Sequence, residues 1–155
     1  MSQFDIDIQS DIEIAGSLEA SAREAAEATL IHQGVDKPTS LTILLTDDAR
    51  LRQLNNDFLG YDEPTDVLSF PAGEIWPGVE SYLGDIAVSI PRAQLQAEAA
   101  GHSPDEEVTL LVVHGLLHLL DFDHVSEEQR SLMSAVQSGI LCILDVQISD
   151  PFPEK

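Results

Sequence analysis

The sequence predicts a single α+β domain with four strands and about five helices. Two observations carry this prediction: short segments in which apolar and polar residues alternate, and longer helix-forming segments bounded by capping residues. These segments follow one another along all 155 residues without a linker, a repeat or a low-complexity stretch. A chain of this length forms one ordinary domain with its own core, so we expect residues 1–155 to be one unit.

Four segments are predicted to be β-strands. The first alternates apolar and polar side chains from Phe4 to Ile8 and continues in the same pattern to Ile14, which is typical of a half-buried strand. The other three are Leu41–Leu45, Val67–Phe70 and Leu83–Ile90. Asp85 interrupts the last of them and would need a hydrogen-bond partner if it were buried. A loop that carries Trp76 is expected between the third and fourth strands.

Five helices are predicted from composition and capping residues. Ser103-Pro-Asp-Glu106 and Ser126-Glu-Glu-Gln129 are capping boxes, and Gly101 follows a helical segment as a C-terminal stop. The predicted helices are Ser17–Gln33, a short one from Thr46 towards Phe58, Pro91–Ala100, a buried one that begins at Ser103, and one from Ser126 to Leu144. The tail, Asp150–Lys155, is expected to be frayed.

The charge of the chain limits its partners. Seven Lys and Arg residues stand against 28 Asp and Glu residues, which gives a formal net charge of -21. So few cations cannot support the counterion release that drives extended contacts with nucleic-acid backbones. A bound metal ion would supply the local positive charge that the composition lacks.

Cysteine content and hydropathy indicate an intracellular protein. Cys142 is the single cysteine, so neither an internal disulfide nor a cysteine zinc finger can form. Its apolar neighbours predict a small core residue. We see no signal peptide, and no apolar run reaches the roughly 18 residues of a membrane helix. We therefore expect a soluble, cytoplasmic protein without a membrane partner.

The segment from His114 to His124 is the strongest functional signal in the chain, and it holds three of the five histidines. His114 and His118 are four residues apart, which places both imidazoles on one helix face about 6 Å apart along the axis. His124 can join them only if the helix ends after Leu119 and the chain turns back. Asp121 is the expected turn residue, because Asp adopts the left-handed conformation more readily than most residues.

These histidines are predicted to bind a metal ion. Positions 108–120 are almost all apolar, so the helix is expected to be buried, and buried imidazoles need partners for their nitrogens. Three ligands, His114, His118 and His124, leave the fourth tetrahedral position to water, so we predict that they are catalytic through the metal-bound water. We expect one Zn2+ ion, although nickel or another divalent metal also suits three imidazoles. The alternative is two satisfied core histidines and an unrelated loop histidine.

Gly115 separates this segment from the zinc peptidases. The histidine spacing matches the HExxHxxGxxH pattern, so the helix is metzincin-like. In that pattern the residue after the first histidine is a Glu that acts as general base, and here it is Gly115. A metallopeptidase is therefore the least favoured function.

Other polar residues have both a structural and a functional interpretation. His32 and His102 lie near predicted helix ends and are expected to be surface residues. Arg50 and Arg52 are candidates for contact with a phosphate, although a solvated helix face explains them more simply. Asp123 precedes the last motif histidine and either orients an imidazole or is a solvated turn residue.

Four motifs together resemble a known family. They are Leu54-Asn55, Asp62-Glu-Pro-Thr-Asp-Val-Leu-Ser-Phe-Pro71, Leu83-Gly-Asp-Ile86 and His114-Gly-Leu-Leu-His118-Leu-Leu-Asp-Phe-Asp-His124. Their order and spacing resemble the YbeY-type endoribonucleases, which are bacterial ribosomal-RNA maturation factors. The resemblance covers roughly residues 40–125, and its motifs are highly specific.

The resemblance implies an α+β fold with a small mixed sheet and a metal, usually zinc, on His114, His118 and His124. It implies metal-dependent cleavage of single-stranded RNA in ribosomal-RNA maturation and ribosome quality control, with ribosomal proteins as further candidate partners. A second hypothesis is a ribosome-assembly binding factor in which the metal is mainly structural and the acidic surface docks on a basic ribosomal protein.

Two positions depart from the pattern of this family. Asp121 stands where the family has Gly, which alters the turn and adds a negative charge near the metal. Leu59 follows Phe58 where the family commonly has Arg, so a phosphate anchor is missing.

Overall fold

Within the part of the chain that the structure describes, the alternating and capped segments form four strands and five helices, as predicted. A computed structural model describes residues 3–72, 81–122 and 125–146. The strands are β1 Phe4–Ser10, β2 Thr39–Thr46, β3 Val67–Pro71 and β4 Ser81–Ser89. The helices are α1 Gly16–His32, α2 Asp48–Leu59, α3 Ile90–Ala100, α4 Pro104–Leu119 and α5 Glu127–Ile143. The predicted loop around Trp76 and the predicted frayed tail, Asp150–Lys155, lie outside the described residues.

The described strands form one mixed sheet in the order β1-β2-β4-β3. β1, β2 and β4 are parallel, α1 connects β1 to β2, and β3 is antiparallel to β4 at the edge. Alternation sets the faces of β1, because Ile6 is buried while its acidic neighbours are exposed. The predicted continuation of this strand to Ile14 is wrong. β1 ends at Ser10, and Ile12 and Ile14 pack on the core from an irregular segment.

α4 is the central helix of the core. Twelve of its 16 residues are buried, as its apolar sequence predicts. It packs on α1, α3 and α5 and on strands β3 and β4. Among the described helices, neither α4 nor any other is long and apolar enough to cross a membrane. The polar side chains that α4 carries into this apolar setting therefore need partners supplied by the fold.

Capping residues define where α4 and α5 begin. Both predicted capping boxes are present, Ser103 with Glu106 and Ser126 with Gln129. In each box the serine hydroxyl accepts a backbone N–H and the longer side chain accepts the backbone N–H of the serine. The start of α4 is thus fixed by local sequence, and this fixes the positions of the side chains that follow.

The C-terminal end of α4 is a Schellman motif. Asp121 has φ 74°; its N–H donates to the His118 carbonyl at 3.1 Å, and the Phe122 N–H donates to the Leu117 carbonyl at 3.0 Å. The prediction that Asp121 turns the chain is confirmed. α5 ends in the same way, with Asp145 at φ 58°.

Two side chains in apolar segments are exposed, and for Cys142 this differs from the prediction. Cys142 is exposed, because Ile140 and Leu141 take the core-facing positions at the end of α5. Asp85 is also exposed, on the face of the sheet away from α4, where it accepts a hydrogen bond from the Tyr82 hydroxyl. Neither residue is therefore a core residue.

The prediction that His102 is a surface residue is also wrong. Its side chain is 9% exposed, and its Nε2 is hydrogen-bonded to a carboxylate oxygen of Glu107, whose side chain is 4% exposed. The left-handed turn at Gly101 folds the chain back over the first turns of α4, and this brings the ring onto Glu107. His32, in contrast, is exposed, as predicted.

Candidate metal centre and cleft

His114 and His118 meet on one face of α4, one helical turn apart. Their rings are perpendicular, with centroids 4.7 Å apart and an interplanar angle of 82°. The two Nε2 atoms are 3.2 Å apart. The sequence prediction that a spacing of four brings these two imidazoles together is confirmed.

The end of α4 fixes the ring of His118. Its Nδ1 lies 3.0 Å from the main-chain carbonyl oxygen of Phe122. A carbonyl oxygen can only accept, so Nδ1 carries the proton and donates it. Phe122 reaches this position because Asp121 adopts the left-handed conformation, so the turn that ends the helix also orients the histidine.

A residue of α5 fixes the ring of His114. Its Nδ1 lies 3.1 Å from Oε1 of Gln137, and both residues are buried. With the amide oxygen facing the ring, Nδ1 of His114 is again the donor. Gln137 is 23 residues from His114 along the chain, and nothing in the sequence analysis pointed to it.

The two hydrogen bonds leave an unusual arrangement at Nε2. When both Nδ1 atoms donate in neutral rings, each Nε2 directs a lone pair, and these two atoms are 3.2 Å apart. Two lone pairs repel at this distance unless a cation or a proton lies between the rings. Two nitrogens bound to one tetrahedral zinc at about 2.0–2.1 Å would be about 3.3 Å apart. The pair therefore fits two ligands of one metal ion, each oriented through its other ring nitrogen.

The third predicted ligand, His124, lies outside the described residues, as does Asp123. Their roles stay predictions. The condition that the sequence analysis set for His124 is met, because α4 ends at Leu119 and the chain turns at Asp121.

A cleft of about 660 Å³ opens beside the two histidines. Strand β3 forms one wall, and the end of α4 forms the other. Two carboxylates, Asp66 and Asp121, line it, together with the apolar side chains of Leu59 and Phe122. Among the described lining residues there is no Lys or Arg. Leu59, at the position where the family commonly has Arg, therefore borders the cleft and contributes an apolar side chain.

Arg50 and Arg52 are not among the residues that line the cleft. Arg52 forms an ion pair with Asp62 at 2.8 Å, and this hydrogen bond lowers the pKa of the Asp62 carboxyl below its usual value. Arg50 donates to Gln53 at 3.1 Å. Both arginines have partners on the surface, which agrees with the simpler interpretation of a solvated helix face.

Gly115 lets α4 approach the sheet. A Cβ at this position would lie 3.0 Å from Ser69 Oγ and 3.1 Å from Ile86 Cγ2. The Ser69 hydroxyl also donates to the Gly115 carbonyl at 2.8 Å. A glutamate at position 115 would have to displace these neighbours, so packing as well as sequence disfavours a peptidase base here.

Comparisons with known proteins agree with this geometry. A sequence profile of the family described as Endoribonuclease YbeY matches residues 5–145. The chain is 38% identical over 139 residues to a protein named Endoribonuclease YbeY from Desulforamulus reducens, with 86% of this chain and 91% of the relative covered. A protein of the same name from Synechococcus sp. is 42% identical over 134 residues, with 77% and 82% covered.

A third protein of that name, from Bacillus cytotoxicus, is 40% identical over 127 residues, with 77% of this chain and 81% of the relative covered. Among solved structures, the chain is similar to the solution structure of a Thermotoga maritima protein. The TM-score is 0.57 at 24% identity, and 96% of this chain and 99% of that chain are covered. This last likeness concerns the fold.

Proposed function

The chain belongs to the Endoribonuclease YbeY family, and from this premise we propose that it is a zinc-dependent endoribonuclease of ribosomal-RNA maturation and ribosome quality control, specific for single-stranded RNA. Membership makes it an enzyme that hydrolyses RNA, with a role in ribosomal-RNA processing. The observation that supports zinc dependence is the pair of Nε2 atoms directed at each other at 3.2 Å.

In this proposal His114, His118 and His124 hold one metal ion, zinc before nickel or another divalent metal. When bound, zinc supplies a Lewis acid that polarises a phosphoryl oxygen and makes water a better nucleophile near neutral pH. The chain itself fixes the tautomer of both rings by engaging each Nδ1 with an oxygen, from Phe122 and from Gln137, so Nε2 is the nitrogen that each ring would offer to a cation.

The cleft favours a single strand over a duplex. Double-stranded RNA is recognised through phosphate and sugar contacts across a wide groove, and these contacts need many cations. Here the described lining of the cleft has none, whereas Phe122 and Leu59 offer apolar surfaces on which unpaired bases can pack. β3 is an edge strand of the described sheet, and main-chain N–H groups on the open side of an edge strand can donate to phosphate oxygens as neutral donors.

The test compares cleavage of one RNA sequence, single-stranded and annealed to its complement, by the zinc-loaded protein and by His114→Ala. We expect cleavage of the single strand by the unmodified protein and a loss of more than about 100-fold in the variant. His32→Ala removes an exposed histidine on α1 and is the matched control, purified in parallel. Equal cleavage by His114→Ala would indicate a contaminating nuclease and contradict the proposal.

The cleavage products identify the nucleophile. Attack by the RNA's own 2′-hydroxyl leaves a 2′,3′-cyclic phosphate and a 5′-hydroxyl, and one 2′-deoxy substitution at the cleaved position prevents it. Attack by water proceeds on the substituted strand. Either result is compatible with the site, and the substituted strand decides between them in one experiment.

A ribosome-assembly binding factor with a mainly structural metal is the second candidate. The observation that favours it is the net charge of -21 together with a cleft whose described lining has no cation. Such a factor would bind a basic ribosomal protein through its acidic surface. In that case His114→Ala would lower the melting temperature and leave RNA cleavage at background in both proteins.

A further inference from the structure

We propose that the open edge of strand β3 binds an unpaired base of the RNA through the main-chain N–H and carbonyl of Ser69. This inference rests on the proposed function, because it takes single-stranded RNA as the substrate that enters the cleft. It adds the group that distinguishes an unpaired base from a paired one. Since the contact uses main-chain atoms, no side-chain motif in the sequence marks it.

Hydrogen bonds at the two ends of β3 fix which of its main-chain groups face the neighbouring strand β4. The Ser89 N–H donates to the Asp66 carbonyl at 2.9 Å, and the Ala72 N–H donates to the Leu83 carbonyl at 2.9 Å. The antiparallel register between these two contacts has no shift, so every second residue from Asp66 to Ala72 is hydrogen-bonded to β4. The residues whose main-chain groups lie on the open side are Val67, Ser69 and Pro71.

The open side of β3 borders the cleft. Val67, Leu68 and Ser69 line the cleft in succession, although the side chains of successive residues point to opposite faces of a sheet. The Leu68 side chain packs with Leu51 of α2, so it is the main chain of the edge that reaches the cleft here. The Ser69 hydroxyl donates to the Gly115 carbonyl at 2.8 Å, and this contact holds the edge beside the part of α4 that carries the histidine pair.

The donors on this open side are reduced to one along the described length of β3. The Val67 N–H donates to Oδ1 of Asp66 at 2.8 Å, and Pro71 has no N–H. The Ser69 N–H therefore remains as the donor that this side can offer, with the carbonyls of the same residues beside it. Two carboxylates, Asp66 and Asp121, also line the cleft. An edge strand can serve a phosphate in general, but so many acceptors around one donor favour a neutral group that donates as well as accepts.

The Watson–Crick edge of a base is such a group. Each of the four bases places a hydrogen-bond acceptor next to a donor on this edge, and in a duplex the partner base occupies both. The N–H and the carbonyl of one extended residue point to the same side of the strand, so an unpaired base can form two hydrogen bonds with Ser69. No side chain selects among the bases in this contact, which therefore requires an unpaired base and no particular sequence.

Methylation of the base tests the contact without changing the protein. The probe is a short 2′-fluoro oligouridylate, which lacks the 2′-hydroxyl and whose integrity is checked on a gel. The comparison strand carries N3-methyluracil throughout, so it keeps every phosphate and loses the N3–H of the Watson–Crick edge. We expect the methylated strand to bind the zinc-loaded protein about 10-fold more weakly by fluorescence anisotropy. Equal binding of the two strands overturns the proposal and leaves a phosphate contact or an added peptide strand as the use of this edge.

Ser69→Pro tests the same contact from the side of the protein. It removes the main-chain N–H, whereas Ser69→Ala keeps it, and both variants lack the hydroxyl that meets Gly115, so Ser69→Ala is the reference. Proline is tolerated on the open side of an edge strand, where Pro71 already lies. We expect Ser69→Pro to bind the unmethylated strand about 10-fold more weakly than Ser69→Ala does. Methylation should also cost less affinity in Ser69→Pro than in Ser69→Ala, because the two changes remove one contact. Equal affinities of the two variants overturn the proposal.

The outcomes separate this inference from the proposed function. Binding does not require cleavage, so an inactive unmodified protein that still discriminates against the methylated strand contradicts the proposed enzyme and supports the base contact. Cleavage of single-stranded RNA together with equal binding of both strands overturns the base contact and leaves the enzyme standing. If circular dichroism shows that Ser69→Pro does not fold, the comparison of the two strands on the unmodified protein decides.

Discussion

The two ends of α4 each bury histidine, and they do so in opposite ways. At the N-terminal end His102 meets the carboxylate of Glu107, and both side chains are at least nine-tenths buried. At the C-terminal end His114 meets His118 through Nε2, and no carboxylate of the described residues is hydrogen-bonded to either ring. The first pair joins two groups of different kinds, whereas the second brings together two groups of the same kind.

This difference shows what distinguishes a structural histidine from a ligand. Burial is common to both, so burial alone does not identify a metal site. What differs is the partner: Nε2 of His102 meets a carboxylate oxygen of Glu107, whereas Nε2 of His114 meets Nε2 of His118. Two ring nitrogens that meet each other are therefore the feature that favours a pair of metal ligands over a structural histidine.

The largest effect should come from removing one member of each pair and measuring zinc affinity. We expect His118→Ala to weaken zinc binding by more than about 100-fold, since loss of a ligand should exceed loss of a residue that only orients one. His102→Ala should leave zinc affinity unchanged, because its partner is Glu107. Equal losses of zinc affinity in His118→Ala and His102→Ala would contradict the proposed difference between the two ends of α4.

The free energy of unfolding should depend more on His102 than on His118, which is the reverse of the order expected for zinc affinity. His102→Ala leaves the Glu107 carboxylate buried without its partner, and we expect the free energy of unfolding to fall by about 3 kcal/mol. Urea unfolding of the metal-free protein measures this. The double variant His102→Ala with Glu107→Met should recover part of the loss, since it removes the orphaned carboxylate. No recovery would show that the pair contributes packing rather than electrostatic complementarity.

A smaller effect is expected at the two left-handed Asp residues that end α4 and α5. Asp121→Gly and Asp145→Gly should each raise the free energy of unfolding by about 1 kcal/mol, because Gly adopts a positive φ without strain. Asp121 also lines the cleft, so its replacement should in addition tighten binding of a short single-stranded RNA. Asp145→Gly is the matched control and should leave RNA binding unchanged. An equal gain in RNA affinity in the two variants would show that the Asp121 carboxylate does not weaken RNA binding in the cleft.

The smallest effect concerns a half-exposed pair. Arg92 donates to Asp48 at 3.1 Å, and the Asp48 side chain is 40% exposed; this hydrogen bond lowers the pKa of Asp48. The carboxylate therefore stabilises the fold above its unfolded pKa of about 3.9, and the contribution is lost as the pH falls through the lower folded pKa. Asp48→Asn should cost less than about 1 kcal/mol at pH 7.

Urea unfolding of both proteins between pH 7 and pH 2 checks this expectation. The difference between them should shrink in acid, because both proteins then lack the carboxylate charge. A difference that grows towards acid would contradict the assigned sign. Comparison of the half-exposed Arg92–Asp48 pair with the buried His102–Glu107 pair shows how much burial adds to the contribution of such a pair to the free energy of unfolding.

Local sequence was sufficient for the features that depend on local contacts. Capping boxes located the starts of α4 and α5, the spacing of His114 and His118 placed both rings on one face, and the strand patterns gave the four strands. Asp121 was identified as the turn residue because it directly follows the apolar end of the helix and because Asp adopts a positive φ more readily than most residues.

Features that depend on distant contacts were not predictable from those patterns. Gln137 belongs to a different helix from the histidine it holds, and its sequence context is an ordinary amphipathic helix. His102 was assigned to the surface because it lies near a predicted helix end, and although Glu107 is only five residues away, the pattern did not show that the turn at Gly101 brings the two side chains together. Cys142 has apolar neighbours on both sides, and only the direction of α5 against the core decides which of them is buried.

The described lining of the cleft has no Lys or Arg, and this also affects the rate at which RNA reaches the site. A polyanion that approaches a protein of net charge -21 is repelled at long range and attracted only at contact. Dissolved salt shortens the Debye length to about 8 Å at 0.15 M and weakens that repulsion. Moderate ionic strength should therefore speed the encounter with RNA, opposite to the trend for nucleases that collect their substrate with basic surfaces.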